Sequence, residues 1–243
     1  MSNRVLVILL AVILLFTNGC ATVVRTSSAL PQRIQQNKTI AILPPGIEVY
    51  KFMVGDTREL IDEWTNETKR VVIDSLQTYF KQNTNFEIKL IQEDWLKQNA
   101  PDVWRDEKTL YQAVASSAYL HAFNFAEPFP TKRQVFDYTV GSEINQLART
   151  CGADYLLFVY GFDHEATTGR KALLYWNVLI GAVTGVVEVP LNPSLLMVGL
   201  VDGKTGDVDY LKVTPPEKEY SFRNQKAMEK LAQWMIEDLL EKK

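Results

Sequence analysis

The sequence contains few of the residues and motifs that mark enzymes, metal sites and nucleic-acid-binding proteins. It has only two histidines and two cysteines among 243 residues. Neither histidine has a second histidine at the HExxH spacing of zinc proteases, and the chain has no GxSxG motif and no P-loop. Lys and Arg are scattered among acidic residues, and the formal net charge is −3, which does not favour a nucleic-acid partner. The sequence therefore predicts no enzymatic activity, no cofactor and no metal site.

No apolar run reaches the length of a membrane-spanning helix, which is about twenty residues. The chain begins with a short segment that carries Arg4, and residues 5–16 then form a run of twelve apolar residues. A run of this length is typical of the apolar part of a signal peptide. We therefore interpret residues 1–19 as a signal peptide.

The signal peptide ends at a characteristic sequence. The stretch Gly19-Cys20-Ala21-Thr22 resembles the processing site of bacterial lipoproteins, in which the cysteine becomes the acylated first residue. Thr17 departs from that pattern, which usually has leucine three residues before the cysteine. The resemblance implies acylation of Cys20 by palmitate-type chains, and Ala21 implies sorting to the periplasmic face of the outer membrane. An uncleaved anchor and a cut by the ordinary signal peptidase are the alternatives.

The rest of the chain divides into two parts. Residues 20–38 are polar and predict a tether, and residues 39–243 predict a single periplasmic domain. If Cys20 is acylated, Cys151 has no disulfide partner within the chain. The apolar helical surroundings of Cys151 indicate a buried packing residue rather than a reactive thiol.

Hydrophobic periodicity predicts a mixed α/β fold, in which helices cover a single mixed sheet. Residues 100–138 form a helical and loop insertion, and its last part, residues 123–138, predicts an aromatic-rich loop. The predicted strands are residues 39–43, 86–91, 153–160, 195–201 and 208–213, the last two forming a hairpin around a tight turn from Asp202 to Asp207. The predicted helices are residues 57–81, 93–98, 106–122, 142–151 and 221–240.

Specific residues support two of these helices. Asp56 and Glu59 have the spacing of a capping box, which predicts that the first long helix begins between them. In the helix over residues 106–122, Leu110, Val114 and Leu120 are the apolar residues that we expect to face the core.

Residues 172–187 form the most unusual segment, with sixteen residues and no charge. As a helix it would be about 24 Å long, which is shorter than the hydrocarbon core of about 30 Å. Gly181 and Gly185 have the small-xxx-small spacing that lets helices approach closely. Together with Tyr175 and Trp176 they are the candidate interface residues. Core packing, contact with a partner and contact with the membrane remain alternatives for this segment.

Three segments in this order resemble a known superfamily: a first strand at 40–45, a helix end and strand at 151–158, and a hairpin at 199–207. They are similar to the periplasmic α/β domain shared by the curli-secretion lipoprotein, the N-terminal domain of TolB and the lipoprotein activators of penicillin-binding proteins. The resemblance covers roughly residues 39–91 and 142–240, and residues 100–138 depart from it. It implies a TolB-N-like sheet and a non-enzymatic protein that forms homo-oligomers or binds other envelope proteins.

Three functional hypotheses follow. The first is a lipid-anchored accessory or scaffolding lipoprotein that takes part in envelope assembly, secretion or transport. The second is a ring- or pore-forming export component that uses residues 172–187. The third is an enzyme based on His164 with Asp163. Adjacent residues on a strand point to opposite faces, so Asp163, His164 and Glu165 cannot converge on one site without help from elsewhere. We therefore interpret these three residues as part of a surface loop rather than as a site.

The anchor hypothesis gives the first testable prediction. Replacing Cys20 with Ala removes the only acylation site at the signal junction, so we expect the protein to move from the membrane fraction to the soluble fraction. Fractionation followed by immunoblotting measures this, and a Cys151→Ala variant is the matched control. A Cys20→Ala protein that stays in the membrane fraction would refute acylation as the means of attachment.

Overall fold

The computed structural model describes residues 24–34, 38–54, 57–123, 129–168, 194–215 and 220–239. Cys20, the candidate cap Asp56 and the candidate interface residues Tyr175, Trp176, Gly181 and Gly185 lie outside the described residues, so the predictions about them stay predictions. In chain order the elements are β1 Val24–Thr26, α1 Leu30–Arg33, β2 Thr39–Ile42, β3 Gly46–Phe52, β4 Arg58–Leu60, α2 Asp62–Asn83, β5 Glu87–Leu90, α3 Glu93–Asn99, α4 Pro101–His121, α5 Pro130–Gln134, α6 Ile144–Cys151, β6 Tyr155–Ala166, β7 Ser194–Asp202, β8 Val208–Val213 and α7 Gln225–Glu237.

The strands form one mixed sheet, as predicted. Its order is β1-β8-β7-β6-β2-β5, and β3 pairs with β6 and carries β4. The pairs on the β1 side of β6 are antiparallel, whereas β2 runs parallel to both β6 and β5. The hairpin of β7 and β8 is confirmed.

The twelve-residue strand β6 is the centre of the sheet. Along one edge it pairs with β7. Along the other edge it pairs first with β2, starting where Ile40 lies opposite Tyr155. It then pairs with β3, starting where Gly46 lies opposite Tyr160. Pro44 and Pro45 separate these two short strands, and since proline has no N–H it cannot continue the ladder. The two prolines therefore divide one edge of β6 between two partners.

Helices cover both faces of this sheet. Leu157 of β6 packs in the core beneath α2 and α7, whereas its neighbours Leu156 and Phe158 pack in the core beneath α3, α4 and α6. This alternation follows from strand geometry, in which successive side chains point to opposite faces. The mixed α/β class is confirmed, and the helices form a layer on each side.

The start of α2 corrects the capping-box prediction. Arg58–Leu60 is strand β4, which pairs with β3 from Tyr50 to Phe52, and α2 begins only at Asp62. Leu60 is 44% exposed rather than part of the buried stripe. Three residues are too few for the alternation of a strand to stand out from the helical pattern that follows.

The register of α4 also differs from the prediction. The helix begins five residues earlier, with Pro101 at its first turn, where the missing N–H of proline costs no hydrogen bond. Leu110 and Leu120 are 41% and 46% exposed. The buried stripe follows the helical period through other residues: Trp104, Glu107, Tyr111, Ala115 and Ala118. Two aromatic residues, two alanines and a glutamate form the buried face, so the aliphatic residues alone indicated the wrong face of the helix.

Part of the predicted tether belongs to the fold. Val24–Thr26 pairs with β8, with Val24 opposite Lys212, and Leu30 is buried in the core. The prediction of a tether over 20–38 is therefore wrong for residues 24–34. Their polar composition concealed this, because an edge strand of three residues and a four-residue helix need little apolar surface.

Two other predictions are confirmed and one is revised. In α6 the four predicted inward residues, including Cys151, are buried, and Gly152 ends the helix at φ 60°. In α7 the predicted inward face is buried. The aromatic loop over residues 123–138 contains the short helix Pro130–Gln134. Phe129, just before this helix, is exposed, and Phe136, just after it, is buried.

Close packing between α4 and the sheet depends on a glycine in β7. The ring of Tyr111 stacks on Phe158, with ring centroids 4.1 Å apart. Its hydroxyl oxygen lies 2.2 Å from the position that a Cβ on Gly199 would occupy. The hydroxyl is buried and has no hydrogen-bond partner among the described residues.

This packing gives a prediction for stability. Gly199→Ala places its methyl group against the Tyr111 hydroxyl, and overpacking of this kind costs about 1–3 kcal/mol. Tyr111→Phe alone is neutral or stabilising, because it removes a buried hydroxyl without a partner. The double variant recovers most of the loss, as urea denaturation would measure. Additive losses in the double variant would contradict the contact.

Candidate binding cleft

A polar cleft of about 490 Å³ opens at the end of the sheet where β6 begins and β7 ends. The helices α1 and α6 and the turn after β7 form its walls. Its lining side chains carry both signs of charge and come from segments far apart in sequence. The main lining residues are Arg33, Lys38, Asn145, Arg149, Asp154, Asp202, Gly203 and Lys204.

The turn between β7 and β8 forms one rigid wall. One carboxylate oxygen of Asp202 accepts hydrogen bonds from the backbone N–H groups of Lys204 and Thr205, at 2.8 and 2.9 Å. The side-chain amide of Asn145 donates to the carbonyl of Gly203 at 3.0 Å. Gly206 has φ 79°, which favours glycine. These bonds fix the turn before any ligand binds.

Gly203 allows this turn to lie directly against α6. A Cβ on Gly203 would be 2.6 Å from the Cβ of Ala148 and 2.8 Å from the carbonyl oxygen of Asp154. The Gly203 N–H donates to that same carbonyl at 2.8 Å. Any side chain at position 203 would therefore push the turn away and open the cleft.

Asp154 is a second acid of the cleft that has two hydrogen-bond donors. Its carboxylate accepts hydrogen bonds from the Lys38 ammonium and from the Thr39 N–H, each at 3.0 Å. Partial burial by itself would raise the pKa of Asp154, but these two donors outweigh it and hold the pKa below its ordinary value. Asp154 therefore stays ionised and joins β6 to the start of β2.

The opposite wall depends on Arg33. Its guanidinium donates to Asp207 at 2.7 Å and to Asp209 at 3.2 Å. Asp209 is fully buried and also accepts a hydrogen bond from the Ser27 hydroxyl at 2.7 Å. The irregular register at Leu200, where β8 contains one extra residue, leaves Asp209 without an opposite residue in β7. Burial raises the pKa of Asp209, while the two donors act against that shift.

Two cationic side chains of the cleft are available to contact a ligand. Arg149 and Lys204 are exposed, and neither makes an ion pair with another described residue. Lys38 is neutralised by Asp154, and Arg33 by the two aspartates behind it. The arrangement can therefore bind a polar ligand that carries an anionic group. The described residues contain no group of three or more His, Cys, Asp or Glu placed to hold a metal ion.

The structure places Asp163, His164 and Glu165 far from this cleft. They lie near the end of β6, so their interpretation as a surface loop is wrong, and Asp163 and His164 are buried. As expected for a strand, neighbours point to opposite faces. The imidazole of His164 packs against the rings of Tyr50 and Phe52, with centroids 5.3 and 5.4 Å away.

The two acids fasten the segment before α7 to the sheet. Asp163 accepts a hydrogen bond from the Phe222 N–H at 2.8 Å, and Glu165 accepts one from the Ser221 hydroxyl. Burial raises the pKa of Asp163 to about 7, although the Phe222 N–H acts against the shift. This contact is structural, and the third hypothesis gains no converging pair of acid and base from it.

The remaining histidine and cysteine occupy packing positions. His121 lies at the end of α4 and stacks on Phe129, with ring centroids 4.3 Å apart. Cys151 is buried, as predicted, and burial raises its pKa to about 11. A thiol with so high a pKa is almost entirely protonated at neutral pH and is a poor nucleophile.

Sequence reasoning missed this cleft. It identified the turn from Asp202 to Asp207 but assigned it no role beyond the hairpin. Arg33 and Lys38 were assigned to the tether, and Arg149 was one charged residue on a helix. The acids and glycines of the turn were the only local signal, because the cleft forms only when three separate segments meet.

Comparisons with known proteins identify no family. No family model and no curated protein matches the chain. Among solved structures, the PelC dodecamer from Paraburkholderia phytofirmans aligns at 10% identity over 92% of this chain and 100% of that chain, with a TM-score of 0.37. A neuraminyllactose-binding hemagglutinin homolog from Helicobacter pylori aligns at 11% identity over 85% and 87%, with a TM-score of 0.35. These partial similarities do not confirm the TolB-like superfamily.

Among the described residues, none of the helices has both the length and the apolar character needed to cross a bilayer.

The buried carboxyl of Asp163 gives a prediction of pH dependence. Because its pKa rises from 3.8 to about 7 on folding, the folded state binds this proton more tightly than the unfolded state. The free energy of unfolding therefore falls as the pH rises between these values, by at most about 1.4 kcal/mol per pH unit. Asp163→Asn keeps an acceptor for the Phe222 N–H and removes this fall.

Urea denaturation at pH 5 and pH 8 measures the effect. Asp94→Asn is the matched control, because it removes an exposed carboxyl in the first turn of α3 and leaves Asp163 and Glu165 in place. An unchanged difference in stability between the two pH values in Asp163→Asn would show that this carboxyl is not its source.

Proposed function

We propose that this chain is a lipid-anchored accessory or scaffolding protein of the bacterial cell envelope, which binds other envelope components and catalyses no reaction. The signal-like segment and Cys20 support the anchor. The polar cleft supports binding, because its walls are fixed by internal hydrogen bonds while Arg149 and Lys204 stay available. We further propose that the protein lies on the periplasmic face of the outer membrane, as Ala21 implies.

The observation that carries this proposal is the short distance between Cys20 and the sheet. Strand β1 begins at Val24, so only residues 21–23 separate the candidate lipid site from the folded domain. Four extended residue steps span at most about 14 Å. An acylated Cys20 would therefore hold the domain directly against the membrane, which suits a protein that acts on other components of that surface.

A second function, a ring- or pore-forming export component, has one observation in its favour. The strands β6 and β7 flank the apolar segment 172–187. The end of β6 and the start of β7 lie at the same end of the sheet, where Asp163 is opposite Ser194. The chain enters β1 at Val24 from the direction of that same end. The last described residues before the segment and the first ones after it thus lie at the end of the sheet toward which β1 points back.

Site-specific photo-crosslinking in intact cells tests the proposal. A photoreactive residue at Arg149, in the cleft, is expected to give an adduct with a different envelope protein. The matched control is Arg70, an exposed arginine on α2 whose side chain forms an ion pair with Asp74. Because Arg70 is not among the residues that line the cleft, it is expected to give no such adduct.

The outcomes separate the hypotheses. A heterologous adduct at Arg149 alone supports the accessory role. A ladder of homo-oligomers from Arg149 supports the ring-forming alternative. The same adducts from both positions, or none from Arg149, would contradict binding through the cleft.

A further inference from the structure

The acids around the cleft already have hydrogen-bond donors within the protein, whereas two of its cations have no acid. Among the described residues, four acids lie in or directly behind the cleft, and each accepts hydrogen bonds from two donors: Asp154, Asp202, Asp207 and Asp209. Arg149 and Lys204 form no ion pair with a described residue. The charged groups that the cleft leaves open are therefore cationic donors, which favour a ligand with negatively charged acceptors.

Arg33 also keeps one edge of its guanidinium open, although its charge is neutralised. Its hydrogen bonds to Asp207, Asp209 and Thr205 all start from Nη1. The edge formed by Nε and Nη2 donates to no described residue, and the side chain is 30% exposed, so a ligand can reach it. That edge carries two parallel N–H groups, which a planar carboxylate accepts with both of its oxygens. The acids behind Arg33 orient this donor pair before any ligand binds.

Arg149 and Lys204 lie on two walls that touch each other. Asn145 and Arg149 are four residues apart on α6, so they lie on the same side of that helix. Asn145 donates to the Gly203 carbonyl, and Lys204 is the next residue of the turn. The two exposed cations are therefore placed on either side of the contact between α6 and the turn.

The cleft offers little to a ligand that binds through stacking or through apolar surface. Tyr155 is the only aromatic residue among the described residues that line it, and it is 2% exposed. No open ring face is therefore present for a nucleobase or a sugar ring to stack on. The apolar lining consists otherwise of Ala148 and Ala153, which is too little to cover an acyl chain.

We infer that the cleft binds an acidic segment of a partner protein, with one carboxylate on the open edge of Arg33 and others paired with Arg149 and Lys204. The inference rests on the proposed function, because it names the chemistry by which an envelope partner would enter the cleft. The three cations belong to three separate segments: α1, α6 and the turn after β7. Several carboxylates on one polypeptide suit this arrangement better than a single small anion.

The exposure of these cations sets the character of the binding. Ion pairs at exposed side chains are screened by salt, so the contact is expected to weaken as the ionic strength rises. The part that depends on Arg33 requires more than charge, because a lysine at this position would offer no planar pair of donors.

Fluorescence anisotropy tests the inference with the full-length protein purified from membranes in detergent. The probe is a labelled peptide of alternating glutamate and glycine, and the matched probe has glutamine in place of glutamate. We expect the glutamate peptide to bind severalfold more tightly than the glutamine peptide, with a difference that shrinks at high salt. A labelled polygalacturonate fragment, which carries its carboxylates on sugar rings, is expected to bind more weakly than the glutamate peptide.

Three variants locate the binding. Arg149→Gln removes one open cation, and Arg33→Lys keeps a positive charge beside Asp209 but removes the planar edge. Each is expected to weaken binding of the glutamate peptide severalfold, whereas the matched control Arg70→Gln, outside the cleft, leaves it unchanged. Amide exchange at Ser27 checks that the N-terminal segment stays folded in Arg33→Lys, and Arg149→Gln decides the result if it does not.

Equal binding of the two peptides, or equal losses in Arg149→Gln and Arg70→Gln, would overturn the inference. Tighter binding of polygalacturonate than of the glutamate peptide would assign the cleft to an acidic glycan and overturn it as well. In each of these cases a heterologous photo-crosslink at Arg149 would leave the proposed function standing. Conversely, a glutamate peptide that binds through Arg149, in a protein that gives no adduct in cells, would support the inference and contradict the proposed function.

Discussion

The buried carboxylate of Asp209 is the interaction on which both the cleft and the position of the N-terminal segment depend. A buried charge without partners is strongly unfavourable, so Asp209 requires donors. Ser27 and Arg33 supply them at 2.7 and 3.2 Å. Both donors come from the N-terminal segment, which is also held by a three-residue edge strand, by Leu30 and by the hydrogen bonds of Arg33 to Asp207 and of Arg25 to the Lys132 carbonyl. The requirement of this carboxylate for donors thereby helps to hold residues 24–33 against β8.

Two functional features follow from this contact. Arg33 forms one wall of the cleft, so the cleft exists only because the N-terminal segment is in place. The same contact places the start of the sheet at Val24, four residues after Cys20, instead of leaving a long tether. The proposed anchor and the candidate binding site are thus coupled through one segment.

The sequence predicted the elements whose own pattern is strong. Gly152 and the four buried residues before it define α6, and the hairpin of β7 and β8 follows from a glycine-containing turn between apolar runs. It did not predict elements that tertiary contacts stabilise. β1 is too short to show a period, and β4 is masked by the helical pattern after it. The cleft was missed for the same reason, since Arg33 gains its role only from the aspartates that lie more than 170 positions later.

Amide hydrogen exchange at Ser27 tests directly whether Asp209 holds the N-terminal segment on the sheet. The Ser27 N–H donates to the Asp209 carbonyl at 2.9 Å, and the side chains of the same two residues are hydrogen-bonded. We expect slow exchange of this amide in the native protein and much faster exchange in Arg33→Gln, in which Asp209 loses its cationic partner. Exchange of Ser27 in the native protein at the rate of an unstructured peptide would show that the N-terminal segment is a free tether and is not held by Asp209.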